Sequence, residues 1–338
     1  MRTFQLSHLA NCGIQRNVGR NLHSLEMAMF KCVVTAVGGA FLPALALAQP
    51  VALPRPAVTG ISHVVVFADD IQKSQQFYAG VLGWDQAPAG AASAGVRFYA
   101  NHAQYVELLS PASPGLANHW DSVAFATTDA EAMRKYLGSR GVAVPDRVTA
   151  EADGSRSFVV HDPEGNKVGF TQDGKRLPAE PASAAQSLSS HIIHAGYVVH
   201  DRAVMDHFYK DLLGFHLYWQ GGNPPERVNW VMMQVPDGTD WIEYMLTLPA
   251  NPSAGQLGTA NHFSPGVVSV AELEKKLEER GWKFAAGRDP KTLGVDGKMQ
   301  IGLRDPDGTR VEFMEFAPVK DPCCSPYTGT QPGPSAKW

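Results

Sequence analysis

The stretch ISHVVVFADDIQKSQQFYAGVLGWD at residues 61–85 returns, altered but in register, as IIHAGYVVHDRAVMDHFYKDLLGFH at residues 192–216. Each copy opens on a histidine, His63 or His194, and reaches an aspartate seven positions later, Asp70 or Asp201. An aromatic pair follows at fourteen positions (Phe77-Tyr78, Phe208-Tyr209) and a glycine at twenty (Gly83, Gly214). A β-rich run, an Asp that can accept from the first free helical N–H groups, an amphipathic stretch and a glycine stop predict strand, N-cap, helix of about three turns and turn.

Working outward, a second repeat closes each half. FVVHDPEGNKVGF (158–170) parallels IGLRDPDGTRVEF (301–313), and both read as strand, tight turn and strand, with Asp, Pro and Gly in turn roles. Ahead of each hairpin stands another strand–helix segment, SVAFATTDAEAMRKYLGSRGV (122–142) and HFSPGVVSVAELEKKLEERGW (262–282). Four strand–helix–hairpin units grouped as two pairs are the expected architecture. The expected boundaries are 59–173 and 191–318 for the two paired domains, with an Ala-, Ser- and Pro-rich linker at 174–190 and an irregular tail at 319–338.

Composition bounds the function. The chain has 338 residues, 44% of them hydrophobic and 18% charged, with 29 Lys+Arg against 33 Asp+Glu. Such a chain is long enough for two cores and has no basic excess to neutralise a phosphate backbone, so no nucleic-acid partner is expected. Residues 33–48, VVTAVGGAFLPALALA, carry no charge, follow Lys31 and end in a small-x-small pattern before Gln49-Pro50. That is the pattern of a secretory signal peptide over 1–48, with Met27 or Met29 as an alternative start, and it is too short and proline-interrupted for a spanning helix. The expectation is export, to a periplasm if the source is Gram-negative, with no stable membrane span after cleavage. Cys323 and Cys324 are then the only cysteines left, adjacent and unable to form a disulfide scaffold.

The four-fold pattern resembles the vicinal oxygen chelate superfamily, which includes glyoxalase I, bleomycin-resistance proteins and extradiol dioxygenases. The resemblance covers about 60–318. It implies an α+β fold of tandem βαβββ modules, two modules per domain, each pair enclosing a cavity for a metal. It also implies where ligands sit: at the start of the first strand and on the last strand of each module. In the second half those positions hold His194, Glu243, His262 and Glu312, at intervals of 49, 19 and 50. Strand parity sets Glu243 with Trp241 and Met245, and Glu312 with Arg310 and Met314; Glu315 falls on the opposite face with Val311 and Phe313.

Two imidazoles and two carboxylates suit one divalent ion such as Ni²⁺, Zn²⁺, Co²⁺, Mn²⁺ or Fe²⁺. The quartet resembles that of glyoxalase I, in which a ligand Glu serves as base, so Glu243 and Glu312 are the candidate catalytic residues. The implied reaction is lyase or isomerase chemistry beside a carbonyl of a small molecule, by a monomer or homodimer. Two alternatives stand beside it. An extradiol-type Fe(II) dioxygenase would use His194, His262 and Glu312, but no His follows His262 to supply its acid–base chemistry. A binding protein would sequester a small molecule without turnover. The first half has His63 and Glu107 at ligand positions, but Ser122 and Gly169 where His262 and Glu312 stand, so its metal site is expected to be degraded.

Overall fold

The computed structural model describes residues 53–88, 94–151, 154–174, 186–287 and 289–334; the leader and most of the linker lie outside them. The first half begins with β1 (Val58–Phe67), then α1 (Ile71–Gln75) continued by a π-helical turn (Gln76–Val81), and the strands β2 (Asp85–Pro88), β3 (Val96–Tyr99) and β4 (Tyr105–Leu109). Its second unit is β5 (Trp120–Thr127), α2 (Ala130–Ser139), β6 (Thr149–Ala150), β7 (Arg156–His161) and β8 (Lys167–Gln172). The second half repeats this as β9 (Ile192–Val198), α3 (Arg202–Asp206) with its π-helical turn (His207–Leu212), β10 (His216–Gly221), β11 (Trp230–Gln234) and β12 (Trp241–Met245). After α4 (Ala254–Ala260) come β13 (His262–Val267), α5 (Val270–Glu279), β14 (Lys291–Leu293), β15 (Met299–Arg304) and β16 (Arg310–Glu315).

The local chemistry follows the repeat. Asp70 accepts from the N–H groups of Gln72 and Lys73, and Asp201 from those of Ala203 and Val204. Gly83 and Gly214 end the helices at φ of 75° and 80°, values an L side chain rarely takes. α4 has no counterpart in the repeat; a capping box between Ser253 and Gln256 starts it.

Each half folds into one curled eight-stranded sheet, in the orders β2-β3-β4-β1-β5-β8-β7-β6 and β10-β11-β12-β9-β13-β16-β15-β14. The two opening strands of a half lie side by side and antiparallel, and each is flanked by the parallel last strand of its own unit. The two halves share one buried cluster. Phe125 meets Phe215 edge-on at 5.2 Å, and Tyr78 lies against Phe263 at 6.5 Å between ring centroids. The hairpin turns also reach across: Tyr78 donates to Asp305 at 3.0 Å, and Tyr209 to Asp162 at 3.3 Å. In each turn the same aspartate accepts backbone N–H groups, from Asp307 and Thr309 or from Glu164 and Asn166. Among the described residues no helix is long and apolar enough to cross a membrane. The described residues after β16, 316–334, form no helix or strand, and the Thr328 N–H donates to the Tyr218 carbonyl of β10 at 3.0 Å.

Candidate metal centre

Four neighbouring strands of the second sheet, β12, β9, β13 and β16, bring the predicted quartet together. Register places Glu243, Gly196, His262 and Arg310 in one cross-strand row, and Trp241, His194 and Ser264 in the next row on the same face. Glu312 is two residues from Arg310 and therefore shares that face. All four candidate ligands are buried, and one ligand atom from each lies within 4.8 Å of the others.

The distances have the scale of a coordination polyhedron. The Nε2 atoms of His194 and His262 are 3.1 Å apart. Glu312 Oε2 is 3.4 Å from His194 Nε2 and 3.2 Å from His262 Nε2, and Glu243 Oε2 is 3.3 Å from His262 Nε2. Ligands at about 2.0–2.2 Å from a common ion are separated by about 2.8–3.1 Å in octahedral and about 3.3–3.6 Å in tetrahedral arrangement. His262 Nδ1 lies 2.9 Å from the Ala260 carbonyl at the end of α4 and donates to it, which leaves Nε2 as the ligand nitrogen. The His194 ring is stacked on Trp241 at 4.8 Å, and its Nδ1 has no hydrogen-bond partner.

Electrostatics points the same way. Two buried carboxylates face one guanidinium, that of Arg310, which donates to Glu312. The group therefore carries an excess negative charge that burial makes costly unless a cation joins it. Burial works to raise the Glu312 carboxyl, but Arg310 and the two imidazoles outweigh it and hold the group well below the usual carboxylate range. Burial likewise pushes His194 down. For His262 burial is overcome by the bonds to Glu243 and Glu312, and its value is raised to about 9. In the metal-free protein a proton thus takes the place at His262 Nε2 that an ion would claim. The residues fit a divalent ion.

Gly196 makes room for this arrangement. A Cβ there would lie 2.1 Å from His262 Cε1, so the imidazole occupies the volume a side chain would need. In the first half Val65 holds the corresponding register position. There Glu107 pairs with Arg97 at 2.8 Å, and His63 stacks on Tyr105 at 4.5 Å. Register confirms Ser122 and Gly169 at the places of His262 and Glu312. A Cβ on Gly169 would meet the Ala124 Cβ at 2.7 Å, so no ligand side chain could be housed there without repacking.

Glu243 and Glu312 open onto a cavity of about 200 Å³ walled by Trp219, Trp230, Met232, Val295 and Met314, with Arg310, Gln300 and Asp296 as its other polar groups. Sequence reading left Arg310, Gly196 and Asp296 unassigned, although Arg310 was already on the Glu312 face. Asp296 sits between β14 and β15, is held by the Tyr327 hydroxyl at 3.0 Å and is raised to about 6 by burial. Trp219 and Trp230 line the cavity, while Trp241 is fully buried against the His194 ring. Glu315 stays on the other face, where it accepts from the first N–H of α5. Cys323 and Cys324 form a vicinal disulfide, and the Cys323 carbonyl accepts from the Trp219 indole at 3.1 Å behind the cavity wall.

The model of the Glyoxalase/Bleomycin resistance protein/Dioxygenase superfamily matches residues 60–170 and 191–313. The chain belongs to that superfamily. Lactoylglutathione lyase GLX1 of Arabidopsis thaliana is 24% identical over 133 residues, 39% of this chain and 46% of that protein, so the chain spans about half the length of this curated relative. Among solved structures, the Mn(II)-bound glyoxalase of Novosphingobium aromaticivorans aligns at TM-score 0.56 and 20% identity, covering 77% of this chain and 83% of that one. Homoprotocatechuate 2,3-dioxygenase of Arthrobacter globiformis aligns at TM-score 0.59 and 15% identity, covering 81% and 85%. At these identities the structural likeness shows the fold.

Proposed function

We propose that the chain is a metal-dependent lyase or isomerase that moves a proton beside a carbonyl of a small molecule bound in the second-half cavity. The observation that carries this reading is the position of Glu243, which completes a two-His, two-Glu quartet and opens onto the cavity. A divalent ion held by His194, Glu243, His262 and Glu312 would polarise the carbonyl oxygen and acidify the adjacent C–H. Glu312 is fixed by Arg310, His194 and His262 and serves as an ionised anchor. Glu243 is the carboxylate we assign to proton transfer, within reach of a ligand in the cavity. Trp219, Trp230 and Met232 exclude water from one side of that ligand.

A ring-cleaving dioxygenase is the second reading, and the fold admits it. Against it stands the fourth protein ligand, which takes a position that O₂ and a catecholate would share. Among the described residues lining the cavity there is also no His or Tyr to act as acid or base. A sequestering protein is the third. One assay panel on metal-loaded protein separates them. Anaerobic turnover of hemithioacetals of 2-oxoaldehydes, lost in Glu243→Gln, is the expected result. Oxygen consumption with catechols would replace this reading by the dioxygenase, and saturable binding without product would replace it by sequestration.

We also propose export, on the strength of the uncharged run at 33–48, which lies outside the described residues. Fractionation of cells expressing the full chain, with mass analysis of the mature N-terminus, tests it. Uncleaved protein in the soluble cytoplasm would rule it out.

A further inference from the structure

A second convergence of metal-binding side chains lies away from the cavity, at a seam between the two halves. Asp69 follows β1, His119 precedes β5, and Asp307 stands in the hairpin turn between β15 and β16. One ligand atom from each lies within 4.8 Å of the others. His119 Nε2 is 3.6 Å from Asp69 Oδ1 and 3.9 Å from Asp307 Oδ1. The Nε2 atom is buried and makes no hydrogen bond, so a polar atom has been taken out of water without replacement.

The rest of each carboxylate is anchored. Asp69 Oδ2 accepts from the Gly115 N–H at 3.0 Å, and Asp307 Oδ2 from the Ser74 hydroxyl at 3.4 Å. The Asp69 N–H also reaches Asp307 Oδ1, at 3.3 Å. These bonds aim the two Oδ1 atoms at the imidazole. A groove of about 300 Å³ lined by Asn118, His119, Arg304 and Asp307 runs alongside.

The opposite seam is an internal control. There Glu164 takes the turn position of Asp307, and His200 and Asp201 take those of Asp69 and Asp70. Glu164 accepts from the N–H groups of His200 and Asp201 at 2.6–3.0 Å, and from the His200 ring at 3.2 Å. That seam closes by hydrogen bonds alone. At the Asp69 seam the imidazole is too far from both carboxylates for hydrogen bonds, and a bound ion would hold the ligand atoms at about 2.8–3.6 Å from one another.

We infer that Asp69, His119 and Asp307 form a second divalent-cation site, of one imidazole and two carboxylates completed by water, that clamps the first half to the second. One His and two carboxylates suit Zn²⁺ or a similar borderline ion. Because the three ligands come from both halves, binding stabilises the folded chain by linkage.

The test uses the full chain, stripped with a chelator and dialysed against micromolar free zinc, with zinc counted by elemental analysis and stability followed by thermal unfolding. Wild type is expected to hold two equivalents, His119→Gln one, His262→Ala one and the double variant none. Zinc should still raise the melting temperature of His262→Ala and lose that effect when His119→Gln is added. Should His119→Gln fail to fold, Asp307→Asn takes its place. An unchanged zinc count in both seam variants overturns the site. If the quartet alone fails to bind, wild type holds one equivalent, His119→Gln none and His262→Ala one, so the two assignments fall separately.

Discussion

The Nε2 atoms of His194 and His262 face each other at 3.1 Å, with Glu312 Oε2 within 3.4 Å of both. With His262 Nδ1 committed to the Ala260 carbonyl, its Nε2 turns a lone pair toward His194, and the two buried carboxylates beside it favour a positive centre at that point. In the metal-free chain that centre is a proton on His262; in the loaded chain it is the ion.

Gly196→Ala is expected to cost the quartet its metal while the fold survives. The added Cβ would lie 2.1 Å from His262 Cε1, so the ring must leave the position that aims Nε2 at the ion. Overpacking of this kind costs about 1–3 kcal/mol in stability. Displaced ligand geometry lowers metal affinity by roughly 10–100-fold. Titration with Co²⁺, read by its visible spectrum, measures the effect, and wild-type affinity would show that the ring has another home.

Metal affinity should rise with pH. His262 is raised to about 9 in the metal-free chain, so an ion must displace a proton at any lower pH. Apparent affinity is expected to increase about tenfold per pH unit up to that value and to level off above it. For the metal-free chain the sign is opposite. A raised His value means that the pairing of His262 with Glu243 and Glu312 stabilises fully below the ordinary His range and is lost as pH climbs through about 9. Urea unfolding of chelated protein at several pH values should show this loss.

Arg310→Gln is expected to move the acid edge of metal release upward by about one pH unit or more. Burial raises Glu312, and Arg310 heads the groups that overcome burial and hold it well below the ordinary range. Without the guanidinium the carboxylate takes up a proton at higher pH and ceases to be a ligand. An acid edge identical to wild type would show that the imidazoles alone suffice.

Tyr78→Phe and Tyr209→Phe should each destabilise the chain by about 1 kcal/mol without altering metal content. Their hydroxyls are donors to Asp305 and Asp162 across the seam. Denaturant midpoints would fall, and an unchanged midpoint in both would mean that water replaces the bonds at no cost.

The four modules were legible because the repeat has fixed spacing, and the four candidate ligands because the superfamily it resembles places ligands at those strand positions, with local β-strand parity setting their face. His194 to Gly214 repeats His63 to Gly83 position for position, and parity alone put Glu312 on the face opposite Glu315. Gly196 was not legible, since its lack of a side chain matters only when β13 is laid beside β9 and the His262 ring needs the volume. Nor was α4, whose Ser253–Gln256 capping box lies in the sequence but whose use, fixing the His262 tautomer through Ala260, requires the folded contact. The DPEG and DPDG motifs read as turns; their second task, receiving Tyr209 and Tyr78 from the other half, joins residues 47 and 227 positions apart.

By itself the sequence determined the repeated unit and the face on which each strand residue stands, because these depend on spacing along one strand or one helix turn; the ligand positions followed from the resemblance that the repeat carries. Only the tertiary structure decided that four ligand atoms converge within 4.8 Å, that Arg310 keeps Glu312 ionised, and that Asp69, His119 and Asp307 meet across a seam. Convergence is a property of strand register and of the packing of one half on the other. Both are set by burying a shared core, whose contacts join residues far apart in the chain.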